Sequence, residues 1–344
     1  MIRCKKCILP DTASGVILDE NGLCQLCKDY QSYIPKGHDE LVREIQEFTL
    51  VDGDYNCVVP VSGGRDSAYA LYYAHDILGL KTLAVHNDND FETETARTNM
   101  DAMASNLGIP LIRISSKSKL SSKIVAEKFK MNAPFGPWIV VAETCEACEY
   151  GFRAATYNTA REKNVKLIIW GDSKDESTKS FYDLCQNHKT PTKWDRLKKP
   201  GIFNVIKYKY YFSRLKKEYG PNTSDGLKEI HLFDYIRWDR RVIIDTITKK
   251  LAWRAPADSP TTWRQDCSLI PLVDYLTYLA NGVSKIEIGF SNMVRGGKMN
   301  RNDALIQIEQ IKRNNDPDRL KMFLLNLNVS SSVIDQVLRE QQHI

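Results

Sequence analysis

Apolar residues run almost unbroken from Tyr55 to Val61, and Ala68, Leu71, Tyr72 and Leu78 then recur on one helical face. That change of period predicts a buried strand turning into a helix, with the polar stretch Ser62-Gly63-Gly64-Arg65-Asp66-Ser67 at the turn. Further apolar runs at Thr82 to Val85, Leu111 to Ile114 and Lys166 to Trp170 alternate with helical stretches near 93–107 and 147–163. Alternation of this kind predicts an α/β fold, a parallel sheet covered by helices. Residues 39 to 50 predict a connecting helix. Beyond about residue 180 the pattern loosens, with helical stretches at Ala304 to Lys312 and Asp318 to Leu325. Three parts are expected: a small module with its linker helix over 1–50, a nucleotide domain over 51–180, and a mainly helical region over 181–344 that meets substrate or partner. No repeat of fixed period or low-complexity stretch is visible.

Composition changes this picture little. With 344 residues, 42% hydrophobic and 26% charged, the chain can bury a substantial core, and a net charge of +5 suits phosphate-bearing ligands without singling out nucleic acid. No run of about eighteen apolar residues is present, and no apolar signal region follows Met1-Ile2-Arg3-Cys4, so a cytoplasmic protein with no membrane contact is expected. Six of nine cysteines fall in three Cys-x-x-Cys pairs, which in a reducing compartment points to metal. Cys4, Cys7, Cys24 and Cys27 place sixteen residues between two knuckles, a spacing expected of a four-cysteine zinc site. Four thiolates close a tetrahedral shell, so the Zn²⁺ role would be structural. Cys57 and Cys185 have no motif around them.

The glycine pair between strand and helix lets the backbone turn sharply and aims amides at an anion at a helix N-terminus. Ser62 and Ser67 can add hydroxyl donors, Arg65 can add charge, and Asp66 can orient the loop or help hold a metal ion. The Walker spacing is absent. SGGRDS after a strand resembles the signature of the PP-loop, or N-type, ATP pyrophosphatases. The resemblance implies a Rossmann-like fold of the HUP (adenine nucleotide alpha hydrolase-like) kind, in which ATP with Mg²⁺ is cut to AMP and pyrophosphate while AMP passes to a substrate oxygen. It also implies nucleotide contacts from His86 and Asn87, within His86-Asn87-Asp88-Asn89-Asp90, the alternative for these residues being a solvated polar loop. Asp172, with Asp175 and Glu176, ends a later strand at the sheet edge, where ligands bind, and is either a candidate catalytic, Mg²⁺ or substrate contact beside Arg65 and Asp66 or a helix cap with exposed acids behind it.

Cys145-Glu146-Ala147-Cys148 begins a predicted helix and needs a separate account. Its combination with the distant Cys267 is similar to that of PP-loop enzymes that thiolate tRNA, which implies a [4Fe-4S] cluster on Cys145, Cys148 and Cys267; the alternative is packing thiols. The opening CKKCILPDTASGVILDENGLCQLC with VVPVSGGRDS, together with WRQDCSLIPLVDYL and SNMVRGGKMNRNDAL, resembles the N-acetyl sugar amidotransferases of bacterial surface-polysaccharide (lipopolysaccharide) synthesis. That resemblance implies adenylation of an N-acetyl oxygen on a sugar, nucleotide-linked in the favoured reading, and its replacement by nitrogen. Neither an N-terminal catalytic cysteine nor a Gly-x-Cys-x-Gly elbow is present, so a separate glutaminase subunit is expected to supply ammonia. The alternative is a sulfurtransferase acting on tRNA or a sugar. Nucleic acid is a partner only in that case. Lys189 to Lys217 carries ten Lys or Arg among aromatics, a face for a nucleotide sugar, a partner or tRNA, or simply a solvated basic surface.

Overall fold

The computed structural model describes residues 1–49, 53–172, 190–198, 202–256, 261–313 and 317–339. Asp175, Glu176 and Cys185 lie outside them. The centre is a five-stranded, wholly parallel sheet in the order β3-β2-β1-β4-β5. Its strands are β1 (Cys57–Pro60), β2 (Thr82–Asp88), β3 (Leu111–Ser115), β4 (Leu167–Trp170) and β5 (Lys228–His231). This is the expected Rossmann-like α/β arrangement. β1 is buried at every position because helices cover both faces. Cys57 and Val59 pack with Ala68, Leu71 and Ile169 on one side, while Val58 packs with Leu83, Ile168, Tyr157 and Ala160 on the other. The alternation of side chains along a strand is what divides them so.

The helices around the sheet include α1 (Gln25–Lys28), α2 (His38–Thr49), α3 (Arg65–Tyr72), α4 (Glu94–Leu107), α5 (Leu120–Asn132), α6 (Pro137–Thr144) and α7 (Glu146–Glu162). α4 shows why these boundaries fall where they do. Thr93 accepts from the amide of Ala96 at its start, and Gly108 ends it with φ of 64°.

β5 comes from the part grouped by pattern with the C-terminal region. It pairs with β4 in the register Trp170 to His231, so the sheet is completed from beyond residue 180. The rest of that region is mainly helical, as expected: α8 (Lys193–Lys198), α9 (Ile202–Tyr219), α10 (Arg240–Leu251), α11 (Ile270–Asn281), α12 (Lys285–Arg295), α13 (Arg301–Arg313), α14 (Pro317–Asn326) and α15 (Ser331–Arg339). The basic segment divides by face. Tyr208, Tyr211 and Phe212 pack inward, whereas Trp194, Phe203 and Tyr210 stay exposed. No described helix is long and apolar enough to cross a membrane.

Candidate functional site

The loop Ser62–Ser67 leaves β1 and enters α3 beside the point where strand order reverses, between β1 and β4, which is where ligands bind open α/β sheets. Its glycines are required by close packing. Gly63 has φ of 78°, and a Cβ there would lie 2.3 Å from the carbonyl oxygen of Ala96. Gly171, at the end of β4, would bring a Cβ within 2.7 Å of the carbonyl oxygen of Asp66. The hydroxyls of Ser62 and Ser67 are 3.4 Å apart, and Ser62 Oγ accepts from the Gly64 amide at 3.3 Å. The turn therefore holds its own shape before any anion arrives.

Residues distant in sequence clamp it. Trp253 Nε1 donates to Gly63 O at 3.0 Å, and Asn99 Nδ2 donates to the same oxygen at 3.3 Å. Arg65 is buried and lies over the Trp238 ring, 4.8 Å from its centroid. Its guanidinium donates to both oxygens of Asp66, at 2.9 and 2.8 Å, and to Thr262 Oγ1 at 3.2 Å. Trp238 Nε1 adds a bond of 2.9 Å to Asp66 Oδ1. Of the two roles open to Asp66 from sequence, this arrangement favours orienting the loop. Asp266, from the WRQDC stretch, brings another carboxylate to the cleft, its Oδ2 3.4 Å from where a Gly64 Cβ would stand. These clamping and lining residues had no motif to announce them except Asp266.

Among the other expected contacts, His86 is buried with both ring nitrogens engaged, Nδ1 with Val61 O at 2.9 Å and Nε2 with Glu92 at 2.7 Å. Asn87 is also buried, but its Oδ1 has no partner among the described residues, and neither has the hydroxyl of Tyr219. Both flank the same face of α7: Asn87 lies against Gly151, and Tyr219 packs on Ala147 and Ala154. An orphaned acceptor and an orphaned hydroxyl here suit a polar ligand group, since leaving them buried and unmade is costly. Asp172 accepts from His231 Nδ1 at 2.7 Å, a partner that sequence did not suggest.

The four N-terminal cysteines are buried and converge. Their sulfurs all lie within 4.8 Å of one another, with Cys4–Cys27 and Cys7–Cys24 at 3.7 Å. Metal–sulfur bonds of about 2.3 Å give a tetrahedron with edges of about 3.8 Å, so the set fits one zinc-sized ion. Backbone amides of Cys24 and Leu9 point at Cys4 and Cys7 sulfurs at 3.3 and 3.5 Å. Arg295 approaches Cys27 and Cys7 sulfurs at 3.4 and 3.8 Å, and Arg301 donates to the carbonyls of Cys7 and Cys4 at 2.9 and 3.1 Å. A four-thiolate ion carries net negative charge, which the Arg295 guanidinium offsets. The SNMVRGGKMNRNDAL stretch thus braces the N-terminal module.

Cys145, Cys148 and Cys267 are partly exposed and lie within one another's electrostatic field, with Asp90 also near Cys148. Burial pushes the Cys148 thiol well up and the Cys267 thiol up to about 12. At neutral pH both hold their protons, and a metal would have to displace them.

No protein-family model matches the chain, and no curated protein matches it. Among solved structures it is similar to an NMN synthetase from Francisella tularensis, at 15% identity over 80% of this chain and 93% of that one, with a TM-score of 0.36. It is similar also to the U34-tRNA thiolase NcsA from Methanococcus maripaludis with its [4Fe-4S] cluster, at 13% identity over 100% of this chain and 89% of that one, with a TM-score of 0.35. Likeness at this level carries no argument about what this chain acts on.

Proposed function

We propose that the chain is an ATP-dependent, AMP- and pyrophosphate-forming enzyme that adenylates the N-acetyl oxygen of a sugar and replaces it with nitrogen, giving an acetamidino group. The observation that carries the activation step is the glycine turn Ser62–Ser67, clamped at the switch point of a parallel sheet with its amides at the start of α3. Such a turn stabilises the departing pyrophosphate through backbone donors and the helix end. Mg²⁺ would enter with ATP, and Asp266 supplies a carboxylate at the cleft while Asp66 is saturated by Arg65 and Trp238. Asn87 and Tyr219 offer polar atoms to the nucleotide or sugar. The four-cysteine module would hold structural zinc. The direction towards a sugar amide, and towards surface-polysaccharide synthesis, is supported by the sequence resemblance, which runs from the opening cysteines to the stretch SNMVRGGKMNRNDAL.

An amide oxygen leaves poorly until it is carried on AMP, after which the carbon accepts a nucleophile. Ammonia would come from a separate glutaminase subunit, and glutamine hydrolysis by this chain alone would contradict that. A second reading, sulfur transfer through an iron–sulfur cluster, is favoured by the proximity of Cys145, Cys148 and Cys267. Purified protein given ATP, free and nucleotide-linked N-acetyl sugars, and either ammonium or sulfide separates the two by mass. Exchange of oxygen for NH supports amidination, exchange for sulfur supports the second reading, and no AMP formation with any sugar defeats the proposal.

A further inference from the structure

The parallel register sets Trp170 of β4 opposite His231 of β5, so Asp172, two residues further on, reaches the histidine ring at the carboxyl edge of the sheet. A carboxylate only accepts, so Nδ1 carries the shared hydrogen and, in the neutral ring, Nε2 holds the lone pair. No hydrogen bond engages Nε2 among the described residues, and the side chain keeps 38% of its surface exposed. The pair is tied to the pyrophosphate loop through Asp172, since Gly171, which precedes it, packs on the backbone of Asp66 and Ser67. An imidazole oriented through one nitrogen by an acid and open at the other is the arrangement of a general base.

We propose that His231 is the proton acceptor in the amination step and that Asp172 is its positioning residue; this rests on the amidotransferase reading above. As the nitrogen lone pair of ammonia bonds to the adenylated carbon, His231 Nε2 removes a proton from that nitrogen. The carbon–oxygen bond to AMP breaks, and its electron pair leaves with the AMP phosphate. The imidazolium passes its proton to water, so atoms and charge balance with no oxidant or reductant. Asp172 fixes the tautomer and steadies the imidazolium. The hydrogen bond to Asp172 first, then the negative charges of Asp172, Asp234 and Glu229, raise the His231 pKa above the ordinary histidine value and so stabilise the imidazolium that forms.

Two measurements divide the reaction. Sugar-dependent exchange of labelled pyrophosphate into ATP reads adenylation alone, whereas amidine formed at saturating ammonium reads both steps. H231Q is expected to keep the exchange and to lose about 10²- to 10⁴-fold in amidine formation, with added imidazole restoring part of the loss. D172N should fall in the same direction without that rescue. Wild-type amidine formation in H231Q, or exchange and amidine formation falling in step in both H231Q and H231N, overturns the assignment. Absence of sugar-dependent exchange in the wild-type protein defeats the amidotransferase reading, and the role of His231 falls with it.

Discussion

The N-terminal knuckles and the Cys145–Cys148–Cys267 group share the Cys-x-x-Cys spacing and part company in everything the spacing does not encode. In the first, four sulfurs are buried within 4.8 Å of one another and guanidinium and amide donors surround them. In the second, Cys145 stands at the helix N-cap and Cys148, with Asp90 near it, in the first turn of α7, while Cys267 arrives on a bridge to Glu92 and all three stay partly exposed. A metal held by the first set would have all four positions filled by thiolates and would serve the fold. The other sits at the carboxyl edge of the sheet, where a bound group could still meet substrate. Identical motifs therefore differ in chemistry through what the rest of the chain brings to them.

The largest expected effect lies on the N-terminal side of that contrast. C24S should lose the metal and, because Cys4, Cys7, Cys24 and Cys27 share a core with α11, α14 and α15, destabilise by at least about 5 kcal/mol. Metal content together with the thermal midpoint checks this, and a metal-free C24S as stable as the wild type would erase the distinction between the two sets.

Next in size is a pH effect in the platform beneath the module. Asp274 is buried in α11 and caps α12, accepting from Ile286 N at 2.8 Å, and burial raises its carboxyl from 3.8 to about 6. The folded state then holds the proton more tightly than the unfolded state does. Stability contributed below about pH 4 is lost as pH rises to about 6 and stays lost above it, a fall of about 2–3 kcal/mol. D274N should remove that slope. Denaturant unfolding at pH 4.5 and pH 7.5 on both proteins measures it, equal slopes being the adverse result.

R295M should weaken metal binding at the four cysteines by about 10- to 100-fold, read by competition with a chelator; unchanged affinity would mean the guanidinium only fills space. The smallest effect is expected from C148S, at most about 1 kcal/mol of stability, measured by chemical unfolding. Iron and sulfide analysis after anaerobic purification of the same pair of proteins then asks whether those thiols bind a cluster. A loss as large as that of C24S would make the second set structural too.

The legible parts of the fold are those with a clear period. β1, the loop and α3 could be read directly because a buried run meets a helical face at two glycines. β5 could not, since Lys228-Glu229-Ile230-His231 is short and buries only Ile230. α5 hid for the opposite reason. It is buried on nearly every side, including Lys128, which pairs with Glu143 and Glu146 at 2.7 and 2.6 Å, so no polar stripe marks it. Loop and cysteines were visible in the candidate site, whereas Trp238, Trp253 and His231 became apparent only when tertiary structure carried them across the chain. His231 owes its partner to strand register, which no local pattern records.

The grip of Trp253 on Gly63, and of Trp238 and Thr262 on the Arg65–Asp66 pair, has an evolutionary and practical corollary. The Ser62–Ser67 loop is not a portable cassette with a detachable reader behind it. A version of the chain cut before Trp238 would retain every letter of SGGRDS and forfeit the walls that give those letters a shape, so new specificities would have to arise by remodelling surfaces around this joint rather than by exchanging the half of the protein beyond it.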